Sequence, residues 1–218
     1  MAERRPVNVA CPQCSKESTF SLWRNVDSMR DPMLKQQIIE GTLFDFKCPY
    51  CEYSTALLYD LLFIMSDRGV MLHFISDEAR AAKAPAMIEA EEAGLPEGDP
   101  QMLKQYIHRI VPDILTLREK ALIFEADLDD RVIELMKVIY VGQFEAEKKL
   151  EVKHIFFDVN KEGKPQFELY GESALLAIAV FDKGLYTSLQ HSPKRKLKPI
   201  RNERNYFVNK EWAVRSSK

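Results

Sequence analysis

The sequence predicts an α+β protein, with a hairpin-rich amino-terminal region and a mixed body after it. Two observations support this class. Near the first cysteines, short runs such as PVNVA and STFSLW alternate apolar and polar residues with the period of two that is typical of β-strands. Further along, residues 112–124 and 129–144 carry apolar side chains at helical spacing, and the period returns to two from residue 153.

The composition is that of a globular chain. With 218 residues, 46% of them apolar, the chain can form one large or two small domains. No apolar run approaches the roughly 18 residues of a membrane helix, and no apolar segment follows the charged start, so we expect a cytoplasmic protein without a membrane partner. The sequence contains no G-x-G-x-x-G, P-loop, G-x-S-x-G or H-E-x-x-H motif.

All four cysteines lie in two matching units, CPQC at 11–14 and CPYC at 48–51. A C-x-x-C turn delivers two thiolates to one edge of a tetrahedron, so two such turns complete the ligand set of a zinc ion. Proline after the first cysteine fixes one φ angle of each turn in advance. We therefore predict one structural zinc ion, without an open coordination position, bound by Cys11, Cys14, Cys48 and Cys51.

The flanking residues support two hairpins with a cysteine pair at each tip. PVNVA and STFSLW flank the first pair, and TLFDFK and YSTALLYDLLF flank the second, which together predict a zinc-ribbon-like module. Between them, a short helix is expected, with Asp31 as its N-cap, Pro32 at its first position and Gly41 just past its end. Leu34 and Ile38 are its predicted buried pair.

A redox interpretation is the alternative, because CPYC is also the dithiol of glutaredoxins. Such a site needs a later cis-proline and a glycine pair for its ligand. Val111-Pro112 offers a proline, but no glycine occurs between Gly98 and Gly142. The CPQC unit would also have no role, so the spacing favours the metal over the dithiol.

The run DPMLKQQIIEGTLFDFKCPYC, together with the earlier CPQC, resembles the CpXC protein family, which is named for its two Cys-Pro-x-Cys units. The segment LREKALIFEADLDDRVIELMK is similar to the longer bacterial members. The resemblance covers roughly residues 7–140 and implies that the four cysteines are metal ligands. It implies no activity. Family members usually have glycine after each pair, whereas this chain has Ser15 and Glu52.

The rest of the chain predicts a boundary and a second domain. We expect a zinc-ribbon-like domain with an extra hairpin at 1–76, an acidic helical arm or linker at 77–101 that is broken at Pro85, and an α+β domain with a basic tail at 102–218. The body should contain two or three helices and an antiparallel four-strand meander built from HIFFDV, QFELYG, LLAIAVF and LYTSLQ. The predicted buried helix residues are Leu115, Ile123, Phe124, Val132, Ile133, Leu135, Met136, Ile139 and Tyr140.

Few other residues suggest chemistry. The four histidines are far apart in sequence, which favours strand-face or surface positions. A carboxylate cluster at residues 125–130 suggests an acid/base or hard-cation site, but carboxylates also stabilise helix N-termini. Asp129 is the predicted N-cap there.

A basic segment in the tail predicts a phosphate-binding alternative. Residues 191–218 carry nine lysines and arginines against two glutamates. The candidate nucleic-acid residues are Lys194, Arg195, Lys196, Lys198, Arg201 and Arg204.

The sequence therefore predicts a zinc-binding protein that acts by binding another protein. A nucleic-acid-associated regulator using residues 194–204 is the first alternative. An enzyme that uses the carboxylates from Asp127 to Asp130 is the second, and no catalytic residue is assigned.

Overall fold

The computed structural model describes residues 2–94, 105–192 and 197–216, with the side chain of residue 202 left out. These ranges contain eleven β-strands, six α-helices and one short 3-10 helix at Ile200–Asn202. The chain forms two compact units, Met1–Arg118 and Glu119–Lys218. No helix in the described ranges is long and apolar enough to cross a membrane.

Two antiparallel hairpins begin the first unit, as predicted. Strands β1 (Arg4–Ala10) and β2 (Glu17–Trp23) pair from Arg4 opposite Trp23 to Ala10 opposite Glu17. Strands β4 (Asp45–Lys47) and β5 (Ser54–Ala56) form the second hairpin, which is shorter than the sequence suggests. Each Cys-Pro-x-Cys unit is the connection between the two strands of a hairpin.

Helix α1 (Pro32–Glu40) has the predicted bounds, and Gly41 ends it in the left-handed region at φ 77°. Asp31 precedes the helix but makes no side-chain hydrogen bond to it. Its carboxylate instead accepts from the backbone N–H groups of Asp27 and Ala2, at 3.1 and 3.3 Å. Ile38 is buried and Leu34 is half-buried, so one of the predicted pair is a core residue.

A four-stranded mixed sheet follows, in the order β3-β6-β7-β8. The predicted extra hairpin is its centre, formed by β6 (Leu61–Met65) and β7 (Val70–Phe74). Strands β3 (Asn25–Asp27) and β8 (Ile107–Val111) add in parallel at the two edges, and the sequence reading missed both. The buried side chains of this sheet include Phe63, Met65, Leu72 and Phe74.

Helix α2 (Glu78–Gly94) continues through Pro85, so the predicted break there is wrong. An interior proline removes one backbone hydrogen bond and costs about 3 kcal/mol. The buried positions Ala81, Ala84, Ile88 and Glu92 follow helical spacing, so packing along one face offsets that cost. Residues 95–101 of the predicted linker lie outside the described ranges.

The second unit contains the end of α3 (Ile114–Glu125), then α4 (Asp130–Lys148), α5 (Lys183–Gln190) and α6 (Lys210–Ser216). Its sheet has the order β11-β10-β9, all antiparallel: β9 (His154–Val159), β10 (Pro165–Tyr170) and β11 (Leu175–Val180). Phe157, Phe167 and Leu169 are its buried centre.

The fourth predicted strand, LYTSLQ, is helix α5 instead. Asp182 caps it by accepting a hydrogen bond from the backbone N–H of Leu185 at 3.0 Å. Tyr186 and Leu189, three residues apart, are its buried side chains, which is helical rather than strand spacing. With α6 added, the described residues of 102–218 contain four α-helices, more than the two or three expected for the body.

Most of the predicted helix core is buried, including Ile123 and Phe124 of α3 and Val132, Ile133, Leu135 and Met136 of α4. The prediction that Leu115 is buried is wrong, since 58% of this residue is exposed at the first turn of α3. Ile139 and Tyr140 are half-buried. The Tyr140 hydroxyl donates to the Val180 carbonyl at 2.9 Å.

Candidate metal centre

The two cysteine turns have the same backbone hydrogen bonds. In the first, the Cys11 N–H donates to the Lys16 carbonyl at 3.0 Å, and the Ser15 N–H donates to the Cys11 carbonyl at 2.9 Å. In the second, the Cys48 N–H donates to Tyr53 at 2.8 Å, and the N–H of residue 52 donates to the Cys48 carbonyl at 3.0 Å. Each turn is therefore held by its own hairpin.

The residue after each cysteine pair is in the left-handed region. Ser15 has φ 59° and Glu52 has φ 60°. Glycine adopts this conformation without strain, whereas residues with a Cβ pay roughly 1 kcal/mol. The turn shape that glycine usually permits is therefore kept here without glycine.

The sulfur atoms of the four cysteines lie close together. Cys11 Sγ lies 3.6 Å from Cys51 Sγ, and Cys14 Sγ lies 3.7 Å from Cys48 Sγ. All four Sγ atoms lie within 4.8 Å of one another. A tetrahedron with metal–sulfur distances of about 2.3 Å has sulfur–sulfur edges of about 3.8 Å, which agrees with these values. The cysteines are free, and the distances far exceed the roughly 2.05 Å of a disulfide.

An apolar cluster surrounds the cysteines. Cys11 and Cys48 are buried, and Phe46 packs with them. Val9, Phe20, Tyr53 and Leu57 are among the half-buried residues around this cluster. The rings of Phe20 and Phe46 meet edge to face with centroids 6.1 Å apart, which connects the two hairpins.

The thiols do not ionise independently. Burial opposes ionisation of Cys48, but the N–H groups of Tyr50 and Cys51 and the Cys11 thiol outweigh it and lower the pKa of Cys48 to about 6. At Cys51 the Tyr53 N–H favours the thiolate, yet burial and the three other thiols raise its pKa to about 12. Four adjacent thiolates therefore repel one another unless a cation lies between them. The cluster is able to bind a metal ion.

Two of the four histidines meet in the first unit. His73 Nε2 and His108 Nδ1 are 3.1 Å apart, and His108 Nε2 lies 3.4 Å from the buried Glu92 carboxylate. Burial and the neighbouring His108 lower the pKa of His73 to about 4. The sequence reading missed this pair, because only the pairing of β7 with β8 brings the two residues together. His154 and His191 are exposed, as expected.

Two carboxylates of the 125–130 cluster, those of Asp129 and Asp130, have structural contacts. Asp129 caps α4 by accepting from the Arg131 backbone N–H at 3.0 Å, as predicted. Asp130 is fully buried and accepts from Lys120 Nζ at 3.0 Å. Asp127 is exposed in the left-handed turn between the helices, at φ 57°.

The second unit also buries charges that the sequence reading did not identify. Lys120 and Lys137 both donate to Glu134, at 3.2 and 3.0 Å, and Lys137 Nζ lies 2.7 Å from the Glu119 carboxylate. Burial raises the pKa of Glu119. Burial also opposes ionisation of Glu134, but Lys137 and Lys120 outweigh it and lower its pKa. The helical spacing of these residues could have indicated that they share one buried helix face. Charged residues at such positions usually face solvent, however.

The basic segment is described only in part. Its exposed described residues are Lys198, Arg201 and Arg204. Lys194, Arg195 and Lys196 lie outside the described ranges. Nucleic-acid binding by these six residues stays a prediction.

The family model of the CpXC protein matches residues 9–137 of the chain. No curated protein and no solved structure matches the chain. The matched range is more than half of the 218 residues and contains all four cysteines. The chain therefore belongs to the CpXC protein family.

Proposed function

We propose that the cysteine cluster holds one zinc ion and that the ion is structural. The supporting observation is the convergence of four sulfur atoms within 4.8 Å. An all-thiolate tetrahedral set is typical of structural zinc. When bound, zinc joins the two hairpins, and four sulfur ligands leave no position for a reactive water. In the cytoplasm, where we expect this protein, thiols stay reduced and available to the metal.

We propose further that the zinc-ribbon-like module binds a partner protein. Strands β4 and β5 have three residues each, and a two-stranded hairpin of that length is unstable alone. In the part of the chain that the structure describes, each of these hairpins forms a sheet of two strands. A metal that fixes them creates a rigid strand surface on which another chain can dock.

Site-specific photo-crosslinking tests this function. A photoreactive residue replaces Thr19 on the hairpin surface, and a matched variant carries it at Lys161, in the turn between β9 and β10. We expect the Thr19 variant to crosslink a defined set of proteins in cells. The same variant with Cys48→Ser should lose those crosslinks, because the second hairpin is no longer held.

Equal capture by the Thr19 and Lys161 variants would contradict the proposal. Crosslinks that persist with Cys48→Ser would contradict the dependence on the metal. Crosslinked nucleic acid in place of protein would favour the alternative that uses the basic segment.

A further inference from the structure

A groove opens beside the cysteine centre, between the two hairpins. It has a volume of about 590 Å³ and is lined by residues 17–20 of β2, residues 45–47 of β4, and Pro49 and Tyr50 of the second cysteine turn. Strand β2 pairs only with β1, and β4 pairs only with β5, among the described residues. One long side of each strand is therefore open, and the groove lies where residues of both strands meet.

The hydrogen-bond pattern shows which backbone groups of β2 are unpaired. The Cys11 N–H donates to the Lys16 carbonyl, and bonded pairs alternate along an antiparallel ladder. Glu17 and Thr19 therefore occupy non-bonded pairs, with their N–H and C=O groups directed away from β1. Both residues line the groove.

Strand β4 has the same arrangement. The Cys48 N–H donates to Tyr53, and the Leu57 N–H donates to the Phe44 carbonyl, which puts Asp45 and Lys47 in the non-bonded pairs. The Asp45 N–H is already taken by the Thr42 carbonyl at 3.1 Å, but the N–H and C=O of Lys47 point away from β5. Both walls of the groove thus offer strand-pairing groups.

The other edge of the first hairpin is protected. On β1, Pro6 lies opposite Ser21 in a non-bonded pair and has no N–H to offer an added strand. Arg4 and Arg5 place charged side chains on the same strand. Strand addition is therefore favoured at β2 rather than at β1.

The side chains of the groove indicate what kind of strand fits. Phe20 lines one part of it, and next to Phe20 the Ser18 hydroxyl is buried without a hydrogen-bond partner among the described residues. Glu17 and Asp45 are exposed on opposite walls, and neither carboxylate forms an ion pair in the described residues. Lys47 is already paired with Glu52 at 3.6 Å. Two unpaired carboxylates favour a basic side chain and disfavour phosphate.

We propose that this groove binds an extended segment of a partner protein, which adds a strand to the open edge of β2 and places a lysine or arginine between Glu17 and Asp45. This inference rests on the proposed protein-binding function and names the partner's chemistry. Backbone hydrogen bonds provide affinity in such strand additions, and side-chain alternation provides specificity. The segment should alternate basic residues with apolar ones that pack on Phe20.

The test uses the zinc-loaded full chain, labelled with nitrogen-15, and two peptides: Ac-Thr-Val-Lys-Val-Lys-Val-Thr-NH2 and its counterpart with glutamate in place of lysine. We expect the lysine peptide to shift the amide signals of Glu17, Thr19 and Lys47 and to slow exchange of the Thr19 amide. The glutamate peptide should bind roughly tenfold more weakly or not at all. Equal binding of the two peptides, or shifts confined to other residues, would overturn the proposal.

Two proline variants test strand pairing at one position of the hairpin. Thr19→Pro removes an N–H that faces the groove, and Asn8→Pro removes the outward N–H of the residue directly opposite on β1. We expect Thr19→Pro to weaken binding roughly tenfold and Asn8→Pro to leave it unchanged. The same affinity for both variants would refute strand addition at β2.

A peptide N-methylated at alternate residues repeats the test on the unmodified protein, in case Thr19→Pro impairs folding. It should not bind. If neither the lysine peptide nor the glutamate peptide binds, but the photoreactive variant at Thr19 still crosslinks proteins, the groove proposal is wrong and the protein-binding function stands. If that variant crosslinks no protein either, both proposals are wrong.

Discussion

At the scale of single residues, Ser15 and Glu52 show that the cysteine turns impose a backbone conformation that their own side chains disfavour. Both residues have φ near 60°. We predict that Ser15→Gly and Glu52→Gly each raise the free energy of unfolding of the metal-bound protein by about 0.5–1 kcal/mol. Urea unfolding followed by circular dichroism measures the change. Gln13→Gly, at a residue without positive φ, is the control and should not stabilise the protein.

His73 predicts how the stability of the first unit depends on pH. Its pKa is lowered to about 4 by burial and by the neighbouring His108. A lowered histidine pKa means that the folded state resists protonation, so this contribution is complete above pH 6.5 and is lost as the pH falls toward 4. The loss should be of the order of 3 kcal/mol.

Thermal unfolding between pH 7.5 and 4 measures this effect. His73→Gln should flatten the curve between pH 6.5 and 4, whereas His154→Gln, at an exposed position, should not. An unchanged slope in His73→Gln would show that the pair does not control acid stability.

At the scale of secondary-structure elements, the sequence predicts those elements whose signals lie in residues next to one another along the chain. The two cysteine hairpins, α1 with Pro32 and Gly41, and the Asp129 cap of α4 all have local signals, and all are present. The sequence does not predict the parallel strands β3 and β8, because each pairing joins residues 37 positions apart, which no local pattern encodes. The segment LYTSLQ is helix α5 rather than the predicted fourth strand, because Asp182 caps it and its buried residues, Tyr186 and Leu189, have helical spacing.

The cysteine site was predictable because four ligands of one type occur in two equal spacings. The His73–His108 pair and the buried Lys137 contacts were not, because each needs elements that are distant in sequence to pack first. Charge patterns on helices usually indicate solvent-facing surfaces, and α4 is an exception to this rule.

The contact between α3 and α4 gives a prediction for these buried charges. Lys137→Met leaves Glu119 and Glu134 without their shared cation, so we expect the protein to lose about 3–5 kcal/mol of stability. Lys148→Met, which removes an exposed lysine from the last turn of α4, should change stability by less than about 0.5 kcal/mol. Chemical denaturation at pH 7 compares them.

The double variant Lys137→Met with Glu119→Gln removes the Glu119 charge, keeps an acceptor for the Phe157 N–H, and leaves Glu134 with its contact to Lys120. It should recover part of the loss. No recovery would show that the damage comes from packing rather than from unpaired charge.

At the scale of the whole molecule, the two compact units should respond differently to metal removal. The hairpins pack around the cysteine cluster, whereas residues 119–218 have their own core around Phe157 and Phe167. We predict that a chelator increases hydrogen exchange at residues 4–23 and 45–56 and leaves that of β9 and β10 unchanged. Mass spectrometry of peptic fragments measures it. Equal deprotection of both units would contradict this division.

The metal content of the purified protein tests the central claim most directly. Inductively coupled plasma mass spectrometry of protein prepared without added metal should find one zinc per chain and no stoichiometric iron, and the variants Cys11→Ser and Cys48→Ser should lose it. Ser54→Ala, on β5 beside the second turn, should retain it. Wild-type protein that is folded at the hairpins, free of metal, and reactive with a thiol reagent at all four cysteines would contradict the account.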